Sequence, residues 1–250
     1  MNDVPPPALN RVIRLLGRPG VVRAVLEDDF HHFRVVLHHD AGGVQAVEAD
    51  SPRFPYSLCP AAGLRLRELI GMPLTTDMTA VFRVANARDQ CTHQIDLAAL
   101  AVTAAARGTA QRRYDIIVHD RREGEDRHAL LKRDGVPLLD WVLDGYAITA
   151  PAPYAGHGLG SGFTSWVAQA FEPEEAEAAL VLRRGVFISG GRGMAAKLDS
   201  HSSAPISGGC WVQQPERAIH AVRQKGSTLD FTGRAEILTR ADDDWLAVKT

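Results

Sequence analysis

A chain of 250 residues, 45% hydrophobic and 23% charged, is ordinary globular material with enough apolar side chains for a core. Its formal net charge of −2 supplies no basic field, which argues against a nucleic-acid or anionic-membrane partner. Its three cysteines, Cys59, Cys91 and Cys210, lie too far apart for a disulfide framework, and no apolar run approaches the roughly 20 residues that span a bilayer. The expectation is a cytoplasmic protein acting on a small molecule, with a homo-oligomer left open.

Residues 1–10 are polar and proline-rich, without the basic and apolar blocks of a signal peptide, and read as a flexible lead-in. Residues 21–26, 33–37 and 44–47 partly alternate apolar and polar positions, with Asp40-Ala41-Gly42-Gly43 as a turn, and predict a three-strand antiparallel meander. Three helices are expected next. Residues 60–70 are stopped by Gly71 and Pro73, residues 75–84 carry a weaker pattern, and residues 91–107 are alanine-rich and closed by Gly108. Strand character returns at 114–118, 128–131 and 138–143, with Arg133-Asp134-Gly135 as a hairpin turn. Helices resume at 163–171 and 173–184, and a short one follows Pro215. Hairpins followed by grouped helices predict an α+β fold, with a motif-bearing domain at 11–109 and a second α+β half at 110–250 that could share its sheet. The Gly- and Ser-rich stretch 189–210 reads as a mobile segment or lid.

The chemistry-bearing residues gather at two predicted helix openings. Pro60 suits a first helical position, which makes Cys59 the N-cap, facing unpaired backbone N–H groups that favour a thiolate. Cys91 opens the next helix in the same way. His93 and Asp96, three apart, share a face of that helix, so Asp96 could fix the tautomer of His93. If the two openings face each other, Cys59, Cys91, His93 and Asp96 form a thiolate–imidazole site, or Cys59, Cys91 and His93 hold a divalent metal. The bland alternative, buried cysteines that merely pack and a capping histidine, weighs about as much.

Two motifs carry a resemblance. Phe54-Pro55-Tyr56-Ser57-Leu58-Cys59-Pro60, continuing to Leu69-Ile70-Gly71, and Cys91-Thr92-His93-Gln94-Ile95-Asp96-Leu97 resemble a bacterial family known as a domain of unknown function, over about residues 10–107. In that family the acidic residue follows a Leu, whereas Asp96 precedes Leu97, and this chain extends well past the usual domain. The resemblance implies no established reaction. A weaker architectural likeness is to iron–sulfur cluster scaffold proteins, whose third ligand segment is lacking here, where the chain offers Asp50 and Ser51.

Tyr56 and Arg53 flank Cys59 and could contact a substrate. In His31-His32 and His38-His39, adjacent strand side chains point to opposite faces, so each pair lends one histidine per face, and His32 is the one assigned to the site. Gly156-His157-Gly158-Leu159-Gly160-Ser161-Gly162 resembles a phosphate loop but lacks the lysine. Arg183-Arg184 could hold a carboxylate or simply complement a helix end. The expectation drawn from all this is an enzyme for a small organic acid, ester or thioester, an aromatic catabolite among them. In it His93 is the acid–base group and Cys59 or Cys91 the thiolate, with residues 150–165 and 189–210 covering the pocket. The alternatives are a Cys/His metal protein and a non-catalytic ligand-binding subunit.

Overall fold

The computed structural model describes residues 5–248. Eight strands, β1 (Ala8–Arg18), β2 (Val21–Asp28), β3 (His32–Asp40), β4 (Gly43–Arg53), β5 (Gln111–His119), β6 (Arg127–Arg133), β7 (Val136–Asp144) and β8 (Ala147–Ala150), form one sheet. Its order is β4-β3-β2-β1-β5-β6-β7-β8, and every neighbouring pair is antiparallel. With its helices this is the α+β architecture that the pattern of hairpins and grouped helices predicts.

The central strand β1 is the departure from the sequence reading, since it begins at Ala8, inside the stretch read as flexible; residues 1–4 of that stretch lie outside the described residues. Its alternation is masked by Arg11 and Arg14, yet Leu9, Ile13 and Leu15 feed one core face while Val12 packs with Phe231 and Leu238 on the other. Arg11 is buried because Asp28, its partner across β1 and β2, accepts from its guanidinium at 2.6 Å. A buried arginine with a paired carboxylate thus reads as polar in sequence and sits in the core.

Helix α1 (Thr92–Arg107) lies over β2 and β3 and ends at Gly108, whose φ of 65° is the left-handed C-cap that the glycine permits. Helix α2 (Phe163–Ala170) precedes α3 (Pro173–Ser189), which lies over β5 and β6; there Gly185 meets Ile116 so closely that a side chain would collide with it. The two covering helices are tied by Glu177, which accepts from Thr103 Oγ1 at 2.6 Å, Arg107 at 2.7 Å and the Tyr114 hydroxyl at 2.5 Å. Between β4 and α1 the chain runs in 3-10 geometry at Cys59–Leu69 and Met78–Arg83, where the pattern suggested α-helices; Ala62, Leu66 and Leu69 still turn inward and Leu64 outward.

The opposite face of β1, β2 and β3 is covered by the C-terminal stretch, whose last helix here is α6 (Asp243–Ala247), after α4 (Ala195–Ser200) and α5 (Pro215–Ala218). No helix among the described residues is long and apolar enough to cross a membrane.

Candidate functional site

Strand β2 ends on Asp28, and the turn that follows is built around that carboxylate. Its Oδ1 accepts the backbone N–H groups of Phe30 and His31, both at 2.8 Å, and lies 3.0 Å from Nδ1 of His31, while Oδ2 takes Arg11. Burial alone would raise this carboxyl's pKa, but His31 and Arg11 outweigh it and hold it well below the usual range. The ionised Asp28 therefore fixes the ring of His31 through Nδ1, and Nε2 lies outside that contact.

His93, in the first turn of α1, stacks on that ring with centroids 3.8 Å apart and planes 27° off parallel. Burial pushes its pKa well below the ordinary histidine value, helped by the neighbouring His31 and Arg11, so the imidazole is neutral at neutral pH. Its Nε2 is buried without a hydrogen-bond partner. Asp96, expected to orient His93, instead accepts Arg184 Nε at 2.6 Å and Nη2 at 3.3 Å. One turn along α1 the carboxylate faces α3, whereas the His93 ring turns toward the sheet and His31.

The three cysteines do converge. Cys59 opens the 3-10 stretch after β4, Cys91 is the N-cap of α1, and Cys210 is the N-cap of a 3-10 turn at Trp211–Gln213. All three line one cavity of about 490 Å³ with His31, His93, Tyr56 and Arg184. The thiols are not the acidic ones that helix openings suggest. Burial, then proximity to Cys210, raises Cys91 to about 12; burial, then Cys91, raises Cys59 well above its ordinary value; burial also raises Cys210. Amides at the start of α1 favour the Cys91 thiolate but by less than burial opposes it, and at Cys59 burial outweighs the backbone hydrogen bond at Tyr56 in the same way.

Among the described residues, two sets of three donors approach within 4.8 Å of one another, Asp28–His31–His93 and Glu27–His32–Asp242. Cys59, Cys91 and His93 do not form such a set, although all three line the cavity. Both oxygens of Asp28 are already engaged.

His32, assigned to the site from sequence, points through the sheet to its other face, where Nε2 lies 2.9 Å from Asp242. Its neighbour His31 is the histidine on the cavity side, as strand alternation requires of one of the two. Tyr56 lines the cavity and is crossed by the Arg223 guanidinium 5.5 Å from its ring centre. Arg53 lines nothing there; it clamps the carbonyls of Asp28 at 2.5 Å and Asp29 at 3.0 Å, and so holds the turn that carries His31. Residues 150–165 pack elsewhere, with Tyr154 and Phe163 against Trp141. Of the Gly- and Ser-rich stretch, Gly209 and Cys210 form cavity wall, pinned by the Trp211 N–H donating to the Gln90 carbonyl at 3.0 Å. Asp28 and Arg11 escaped the sequence reading because nothing local marks a charged pair as buried.

A search of curated proteins finds no match to this chain. Residues 20–107, which run from β2 through α1 and include Cys59, Cys91 and His93 but neither Arg184 nor Cys210, match the model of a family described as a protein of unknown function, DUF2889.

Proposed function

We propose that the protein is an enzyme that converts a small organic acid, ester or thioester in the cavity between α1, α3 and the turn after β2. The observation that carries this reading is the pairing of a carboxylate-held imidazole, His31, with a pinned guanidinium, Arg184, in the wall of one cavity of about 490 Å³. Asp96 occupies Nε and Nη2 of Arg184, so Nη1 is the donor left for a ligand carboxylate. His31 Nε2 then takes or delivers a proton, with the resulting imidazolium stabilised by Asp28. Phe33, Phe187, Ile188 and Val212 supply apolar wall for the body of the substrate, which suits a hydrocarbon or aromatic acid. The protonated thiols of Cys59 and Cys91 become nucleophiles only when a neighbouring imidazole accepts the S–H proton.

The test is a panel of benzoate, phenylacetate and short aliphatic acids, scored by the rise in melting temperature, with their simple esters and thioesters scored by acid release. Carboxylates are expected to stabilise the wild type and not Arg184→Gln, and His31→Gln is expected to lower turnover by about 100-fold or more. Equal protection of both proteins, or undiminished turnover in His31→Gln, contradicts the reading.

A further inference from the structure

The cavity wall holds polar atoms that the fold already engages and others that it leaves free. Asp96 occupies Nε and Nη2 of Arg184, and Oε1 of Gln213 accepts from Ser207 Oγ at 2.6 Å. The Tyr56 hydroxyl is different. The residue is 5% exposed, yet its oxygen makes no hydrogen bond among the described residues and is not sealed into the packing, so its open surface faces the cavity that Tyr56 lines.

The fold needs only the ring. Residues 55–57 are stitched to residues 222–224: the Ser57 N–H donates to the Val222 carbonyl at 2.8 Å, the Val222 N–H to Ser57 Oγ at 3.0 Å and the Gln224 N–H to the Pro55 carbonyl at 2.9 Å. The Arg223 guanidinium, 5.5 Å from the ring centre, donates to Asp199 Oδ1 at 2.8 Å, Thr228 Oγ1 at 2.7 Å and the Pro55 carbonyl at 3.1 Å. A phenylalanine would fill this slot as well. Buried tyrosines ordinarily pair their hydroxyl, and this one is surplus to the packing. Burial raises the phenol's pKa, Arg223 opposes the rise and Cys59 and Cys210 add to it, so the group is an O–H donor at neutral pH.

We infer that the Tyr56 hydroxyl receives a carbonyl oxygen of the substrate, so that the molecule bound here carries a carbonyl in addition to the carboxylate taken by Arg184. This rests on the reading of the cavity as the site of a small acid, ester or thioester, and narrows it. A phenol that stays protonated donates, and a carbonyl oxygen is the neutral acceptor that oxo acids, esters and thioesters share. The fixed charge of Arg184 suits the carboxylate instead. Simple hydrocarbon acids lack the second acceptor, whereas oxo acids and the half-esters or half-thioesters of diacids possess it.

The experiment is isothermal titration calorimetry on the full chain, in wild type and Tyr56→Phe, with two matched pairs of probes. Benzoylformate and phenylacetate share a ring and a carboxylate and differ by a ketone against a methylene group. Acetophenone and ethylbenzene repeat that difference without a carboxylate. The affinity ratio of ketone to methylene compound should fall about fivefold from wild type to Tyr56→Phe, while phenylacetate and ethylbenzene bind both proteins alike. Far-ultraviolet dichroism and melting temperature verify that the variant is folded. A fall in either pair supports the inference; ratios unchanged in both pairs, or no binding of any probe to wild type, overturn it. The two readings fail separately. A fall seen only with acetophenone, when wild type binds neither carboxylate, contradicts the role of Arg184, and carboxylates bound with an unchanged ratio contradict the role of Tyr56.

Discussion

Asp96 gives its carboxylate to Arg184, 2.6 Å from Nε, and leaves His93 alone three residues earlier on the same helix. The pair joins α1 to α3 at the cavity wall and fixes the guanidinium in place. Neither side chain is far from burial, at 11% exposure for Asp96 and 21% for Arg184.

Removing one partner strands the other. Arg184→Met is expected to destabilise the protein by about 3–5 kcal/mol, because an unpaired carboxylate stays in the wall. Arg184→Met with Asp96→Leu should recover a large part of that loss, measured by urea denaturation. A double variant no more stable than the single one contradicts the pairing.

Glu177 is more deeply placed, 2% exposed, and serves Thr103, Arg107 and Tyr114 together. Burial, then Glu177, raises the Tyr114 phenol well above its ordinary pKa, so it remains a donor at any working pH. Glu177→Ala leaves three polar groups between the covering helices and the sheet without their acceptor. The expected cost is about 3–5 kcal/mol, with a lower melting temperature and no change in far-ultraviolet dichroism at low temperature. A loss under 1 kcal/mol would show that the network is ornamental.

The C-terminal stretch is latched by Asp242, whose carboxylate meets His32 at 2.9 Å and Arg34 at 2.6 Å. Burial favours its neutral form, but His32 and Arg34 prevail and depress its pKa. A carboxyl with a depressed folded pKa contributes stability that is full above its unfolded value, about 3.9, and lost as pH falls through the folded one. Asp242→Asn should therefore cost about 2 kcal/mol at pH 7 and progressively less toward pH 3, where the wild type loses the same term. A pH-independent difference contradicts the latch.

Thiol reactivity reports on burial. With Cys91 raised to about 12, its alkylation in the reduced, metal-free native protein at pH 7.5 should run at least about 100-fold slower than in the urea-unfolded chain. Comparable rates in the two states would restore the acidic thiol that a helix opening suggests.

Much of the frame was legible. The meander, the α1 helix with its Gly108 stop and the hairpin at Asp134-Gly135 follow from periodicity and turn residues, which are local properties. What failed is non-local. Arg11 and Asp28 each look like surface charges until β1 and β2 pair them, and Cys59 looks like an acidic thiol until the chain buries it. His31 and His32 show the limit clearly. Strand alternation dictates that they part, but only the covering elements decide which face holds the cavity and which the C-terminal latch. Arg184 and Cys210 lie outside the stretch bearing the two motifs, and only tertiary packing brings them to His93.

The central claim is that thiols from both ends of the chain share one cavity, and a thiol-bridging arsenical tests it most directly. Phenylarsine oxide bonds two neighbouring thiols and ignores isolated ones. Native reduced protein should take up one equivalent, shown by intact mass, and leave one of its three cysteines open to alkylation after unfolding. Three alkylatable thiols and no arsenical adduct, in protein that is folded and reduced, would mean that Cys59, Cys91 and Cys210 do not meet.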